Sequence, residues 1–105
     1  MSGGIVLLSL SDREALKRFT EAVLDHGPAE QDFNCLVGEL SPAGNRALML
    51  AKPGDVARTA VGTLPKRRAF KVRTVLNLNS AARDGVMAAI RRVQEKARAS
   101  LGVTA

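Results

Sequence analysis

The chain has 105 residues, 46% of them apolar and 25% charged, which is the composition of a single globular domain and argues against global disorder. One cysteine, Cys35, and one histidine, His26, exclude an intrachain disulfide framework and a structural zinc site, which takes about four such ligands. Sixteen Lys and Arg against ten Asp and Glu leave a net charge of +6, which points to an acidic partner such as nucleic acid, an anionic membrane or an acidic protein.

Residues 5–10 (IVLLSL) are apolar and partly β-branched, and predict a strand buried on both faces. Ser11 and Glu14 have the spacing of a capping box. Ala15, Leu16, Phe19, Ala22 and Val23 then recur at three- and four-residue intervals, and His26-Gly27-Pro28 supplies a stop. A helix is predicted over 12–26. Residues 33–40 predict a strand with Phe33, Cys35 and Val37 on one face and Leu36 and Leu40 on the other. Ser41-Pro42-Ala43-Gly44-Asn45 has turn chemistry, and 46–52 (RALMLAK) predicts the second arm of a hairpin.

Pro53-Gly54-Asp55 predicts a further turn. Residues 56–64 fit either a strand or a short helix with Val56, Ala57, Ala60 and Val61 inward; Gly62, at the position of a C-cap, favours the helix. A basic turn follows at 64–68. Residues 70–78 then alternate, with Phe70, Val72, Thr74, Leu76 and Leu78 on a dry face and Lys71, Arg73 and Asn77 on a wet one, which predicts a strand. Asn79 or Ser80 caps a last helix whose core stripe is Val86, Ile90, Val93, Ala97 and Leu101, and Gly102 ends it. Gly85 lies inside that helix at a cost of about 1 kcal/mol against Ala, with no reason visible in the sequence.

The order β-α-β-β-(α or β)-β-α predicts one α+β domain over 1–105, built on a mainly antiparallel sheet of four to five strands with two main helices. A ferredoxin-like split βαβ arrangement with an added C-terminal helix is favoured over a five-stranded sheet.

Charge is unevenly spread. Residues 1–52 hold five basic and seven acidic side chains, whereas 53–105 hold eleven basic and three acidic. Lys66, Arg67, Arg68, Lys71 and Arg73 fall within eight residues that contain no acid, and Arg91, Arg92, Lys96 and Arg98 form a second set on the last helix. Lys and Arg at this density suit a phosphate backbone, whose condensed counterions they displace. The plainer account is a solvated surface, with Arg91, Glu95 and Arg98 as a helical ion-pair set. Only Phe19, Phe33 and Phe70 are aromatic; Phe19 belongs to a core face and Phe70 to the dry side of its strand, so no base-stacking platform is expected. No helix-turn-helix signature is evident.

Catalytic constellations are weak. Cys35 sits between Asn34 and Leu36, which do nothing to lower its pKa, and His26 is accounted for at a helix end. Asp25 beside His26, and Glu30, Asp32 and Glu39, have no spacing that specifies acid–base work. Gly3-Gly4 precedes a strand instead of following one, unlike a phosphate-binding loop. No catalytic residue, metal or cofactor is assigned. The longest apolar run, 5–8, is far short of the roughly 20 residues of a membrane span, and it meets Asp12 and Arg13 too soon for a secretory leader. A cytosolic location without a membrane partner is expected. The reading that follows is a non-enzymatic nucleic-acid-associated domain, a small homodimer, that holds phosphates with a cationic strand. A protein-binding or self-assembling adaptor is the alternative, with Val86 and Met87 widening the apolar face of the last helix. A small metal-independent ribonuclease, using Arg and Lys to stabilise transition-state charge, stands behind both.

Overall fold

Phe33, Leu36, Val37 and Leu40 fall at i, i+3, i+4 and i+7, the spacing of one helix face. In a computed structural model, which describes residues 5–102, all four are buried. They belong to a helix and its cap. Six helices follow one another: α1 Leu10–His26, α2 Glu30–Glu39, α3 Pro42–Leu50, α4 Pro53–Gly62, α5 Lys66–Leu78 and α6 Ser80–Ser100. The described residues are 82% helical and contain no strand. The α+β expectation is overturned, and with it the ferredoxin-like sheet, the hairpin and the cationic strand.

The reasons are local. Ser41 is the N-cap of α3, its hydroxyl accepting from the Gly44 N–H at 3.0 Å, and Pro42 opens the first turn. Pro53 does the same for α4. Ser, Pro and Gly punctuate turns and helix N-termini alike, because Pro at the first helical position removes an N–H that would have no intrahelical acceptor. Residues 33–39 and 46–50, expected as strands, therefore run on as helices. In α5, Ala69, Val72 and Leu76 turn inward at helical spacing, whereas Phe70 and Leu78, expected on a dry face, are 69% and 83% exposed. Residues 5–9, expected as a strand, belong to no helix or strand, and Leu10 opens α1. Val6 is buried and donates its N–H to the Thr59 hydroxyl at 2.9 Å, while Ile5 and Leu7 point outward.

Three expectations hold. Residues 56–62 are helical, within α4, although the C-cap is Thr63 and not Gly62. The first helix ends at His26, with Gly27 at φ 78°, although its N-cap is Ser9 and not Ser11. The Asn79 side chain caps α6 by accepting from the Ala82 N–H at 3.0 Å, and Gly102 at φ 74° follows the end of that helix.

The main core joins α1, α2, α3, α4 and α6 through Leu16, Leu36, Leu48, Val56 and Val93, all fully buried, and through the tilted ring pair Phe19–Phe33, with centroids 5.3 Å apart. Burying each such side chain contributes roughly 1.5–3 kcal/mol. Helix α6 is the common neighbour of α2, α3, α4 and α5. A second, smaller cluster of Val61, Leu64 and Ala69, flanked by Leu24, Val72 and Leu76, seats α5. Beneath α5 lies an apolar void of about 30 Å³, bordered by Phe19, Val61, Val72, Leu76 and Val86.

One polar network ties the beginning of α1 to that of α3. Asp12 is 2% exposed; its Oδ1 accepts from the Ser41 N–H at 2.9 Å and its Oδ2 from the Ser41 hydroxyl at 2.7 Å. A carboxylate is favoured there by the unsatisfied N–H groups at helix N-termini. Gly44 lets the two helices approach: a Cβ at this position would lie 2.8 Å from Asp12 Cγ. Burial pushes the Asp12 pKa up, but the bonds from the Ser41 hydroxyl and N–H and from Ser9 outweigh it, so the carboxyl sits below its ordinary value.

Candidate nucleic-acid interface

Helix α5, KRRAFKVRTVLNL, has five cations and no acid. With Ala69, Val72 and Leu76 directed inward, 3.6 residues per turn place Lys66, Arg67, Lys71 and Arg73 within an arc of about 160° on the outside. All four are exposed, and none makes an ion pair or a side-chain hydrogen bond among the described residues. Phe70 lies near the middle of the same arc. Lys66, Arg67 and Arg68 occupy the first turn, where the helix dipole is positive and Pro65 offers no side-chain cap. The positive potential is thus concentrated at one end of an exposed helix. The other end is quenched: Arg83 Nη1 donates to the carbonyls of Leu76 and Asn77, at 2.8 and 3.1 Å.

Arg68 is the exception among the five. It turns toward the end of α1 and pairs with Asp25 at 2.5 Å. The second predicted set is also divided. Arg92 and Lys96 both bind Glu30, clamping α6 to α2, and Lys96 donates to Asn34 Oδ1 at 2.8 Å as well. Hydrogen bonds from Lys96 and Arg92 hold the Glu30 carboxyl below its ordinary pKa, and Glu30 raises that of Arg92. Arg92 further pairs with Glu95 at 3.4 Å. Arg91 and Arg98, seven residues apart on one stripe of α6, stay exposed and unpaired among the described residues. The four therefore do not act as one cationic face.

The residues weighed for catalysis are dispersed into structural roles. His26 Nδ1 lies 3.0 Å from the Gly27 carbonyl oxygen. Cys35 is exposed on α2, and Asp32 accepts from the Ala29 N–H at the start of that helix. Glu39 pairs with Arg18 at 2.6 Å and raises the pKa of that guanidinium. The described residues hold no group of three or more His, Cys, Asp or Glu arranged for a metal, and no helix among them is long and apolar enough to cross a membrane.

Two features of the candidate interface were missed by sequence reasoning. Phe70 belongs with the cations, a placement that follows at once if 66–78 is given helical periodicity. Helices α4 and α5 are joined by only Thr63, Leu64 and Pro65, so an exposed basic helix follows a short turn. The chain matches no protein-family model, no curated protein and no solved structure.

Proposed function

We propose that the protein is a non-enzymatic nucleic-acid-binding domain that meets phosphates with the outer face of α5. The observation that carries this reading is the group Lys66, Arg67, Lys71 and Arg73, four exposed cations on one helix face, unpaired among the described residues, with no acid in that helix. Only Ala69 of α5 is buried, so the helix stands proud of the bundle. A major groove about 12 Å wide admits such a helix. The three-residue link from α4 resembles the connection by which helix-turn-helix proteins present a helix to that groove. Phe70, among the cations, offers a ring on which an unpaired base could stack.

Fluorescence anisotropy with duplex DNA, single-stranded DNA and RNA tests the reading. Four phosphate contacts give a log–log salt slope of roughly −3 to −4, so affinity should fall by about two orders of magnitude between 50 and 200 mM salt. Replacing Lys66, Arg67, Lys71 and Arg73 together by Ser should abolish binding while leaving the helical circular dichroism unchanged. A folded wild-type protein that binds none of the three ligands at low salt sinks the reading.

A second reading, a protein-docking helix, is favoured by Val75 and Leu78, which with Phe70 leave 52–83% of their surfaces exposed on α5. Self-association that persists in high salt and is lost in Phe70→Ser would favour it.

A further inference from the structure

The four cations of α5 that have no partner among the described residues stand in two rows. At 3.6 residues per turn Lys66 and Arg73 fall within about 20° of each other, and Arg67 and Lys71 within about 40°. The rows are about 130° apart, which on a helix about 10–12 Å across sets them roughly 10 Å from each other. Arg68, held by Asp25, belongs to neither. Between the rows the helix carries Asn77, Phe70 and Thr74, in that order around its axis. All three are exposed. The Thr74 hydroxyl donates to the Phe70 carbonyl at 3.1 Å, and the Asn77 side chain makes no hydrogen bond among the described residues.

A single strand presents one line of phosphates, whereas a duplex presents two, one on each side of a groove. Two rows of cations roughly 10 Å apart suit the walls of the DNA major groove, which is about 12 Å wide. The major groove of duplex RNA is too deep and narrow to be read this way. Side chains between the rows then face the base edges on the groove floor. An Asn amide pairs with adenine, donating to N7 and accepting from N6, and an aromatic ring or a Thr methyl packs on the thymine C5-methyl group. Guanine shows two acceptors at the corresponding places, which one amide cannot satisfy with both of its polar atoms. The three uncharged side chains thus share a preference for one base pair.

We infer that α5 reads A·T base pairs of duplex DNA from the major groove, with Asn77 on adenine and Phe70 and Thr74 on thymine methyl groups. This rests on the nucleic-acid reading above and adds base recognition to it, which phosphate contacts alone do not provide. The test is fluorescence anisotropy with short duplexes of equal length, one of alternating A·T pairs and one of alternating G·C pairs, beside a single strand. The A·T duplex should bind about ten-fold tighter than the G·C duplex. Asn77→Ala should remove most of that preference and keep the wild-type salt slope, because the phosphate contacts are intact. Substituting 7-deazaadenine, which lacks N7, should weaken the wild type and have no effect on Asn77→Ala. Uracil in place of thymine should weaken the wild type and have no effect on the double variant Phe70→Ala/Thr74→Ser. Equal binding of the two duplexes overturns the inference and leaves the phosphate reading standing, as does a single strand that binds tighter than both. An A·T preference that survives all these substitutions overturns it as well. If no ligand binds at low salt, both readings fall together.

Discussion

Helices α6 and α5 are neighbours in sequence and differ in how they are held. Helix α6 buries Ala89, Ile90, Val93 and Ala97 and is touched by four other helices. Helix α5 buries only Ala69, rests on a small satellite cluster and has an apolar void beneath it. The polar contacts differ in the same way. Arg92 and Lys96 of α6 are neutralised by Glu30, whereas four of the five cations of α5 have no partner among the described residues. On α6 the cations that face α2 are paired and Arg91 and Arg98 have no partner among the described residues, whereas on α5 only Arg68 is paired, so unpaired charge is densest on the least buried helix. A helix with few buried contacts opens locally at low free-energy cost, and an anion that binds only its folded form stabilises it.

The largest expected effect tests that contrast directly. Leu48→Ala, in the main core, should cost about 3–5 kcal/mol by urea denaturation. Leu76→Ala, in the partly exposed seat of α5, should cost about 1–2 kcal/mol, because a neighbouring void already exists and part of the side chain is wet. Equal losses would break the distinction between the two regions.

The Asp12 network sharpens it next. Ser41→Ala removes one hydrogen bond to a buried carboxylate and the cap of α3, and should cost about 2–3 kcal/mol at neutral pH. Because the folded Asp12 pKa is lowered, its contribution is complete above the unfolded carboxyl value near 4 and is lost as pH falls through the folded value. Stability measured from about pH 6 down to pH 2 should therefore decline less in Ser41→Ala than in the wild type. An unchanged acid limb would place the acid sensitivity elsewhere.

The smallest effect concerns the junction of the two regions. A Cβ at Gly85, in the early turns of α6, meets nothing within 4 Å, so Gly85→Ala should add about 0.5–1 kcal/mol. Hydrogen exchange should show the gain first in the beginning of α6 and in α5. A loss of stability instead would mean that Gly85 serves a contact outside its own helix.

The sequence by itself determined the first and last helices, their stops at Gly27 and Gly102, a cap of the last helix at Asn79 or Ser80 and the concentration of charge over 66–73. Each of these follows from short-range physics: a long 3.6-residue period, a left-handed glycine, a side chain reaching an N–H three residues on. Only the tertiary structure decided between strand and helix for 33–40, 46–52 and 70–78. Over so few residues an apolar pattern fits both periods, and burial settles which one is used. Phe33 and Leu36 are helical because α1 and α6 cover that face of α2. Phe70 lies among cations because Ala69, Val72 and Leu76 are the side of α5 that meets the bundle.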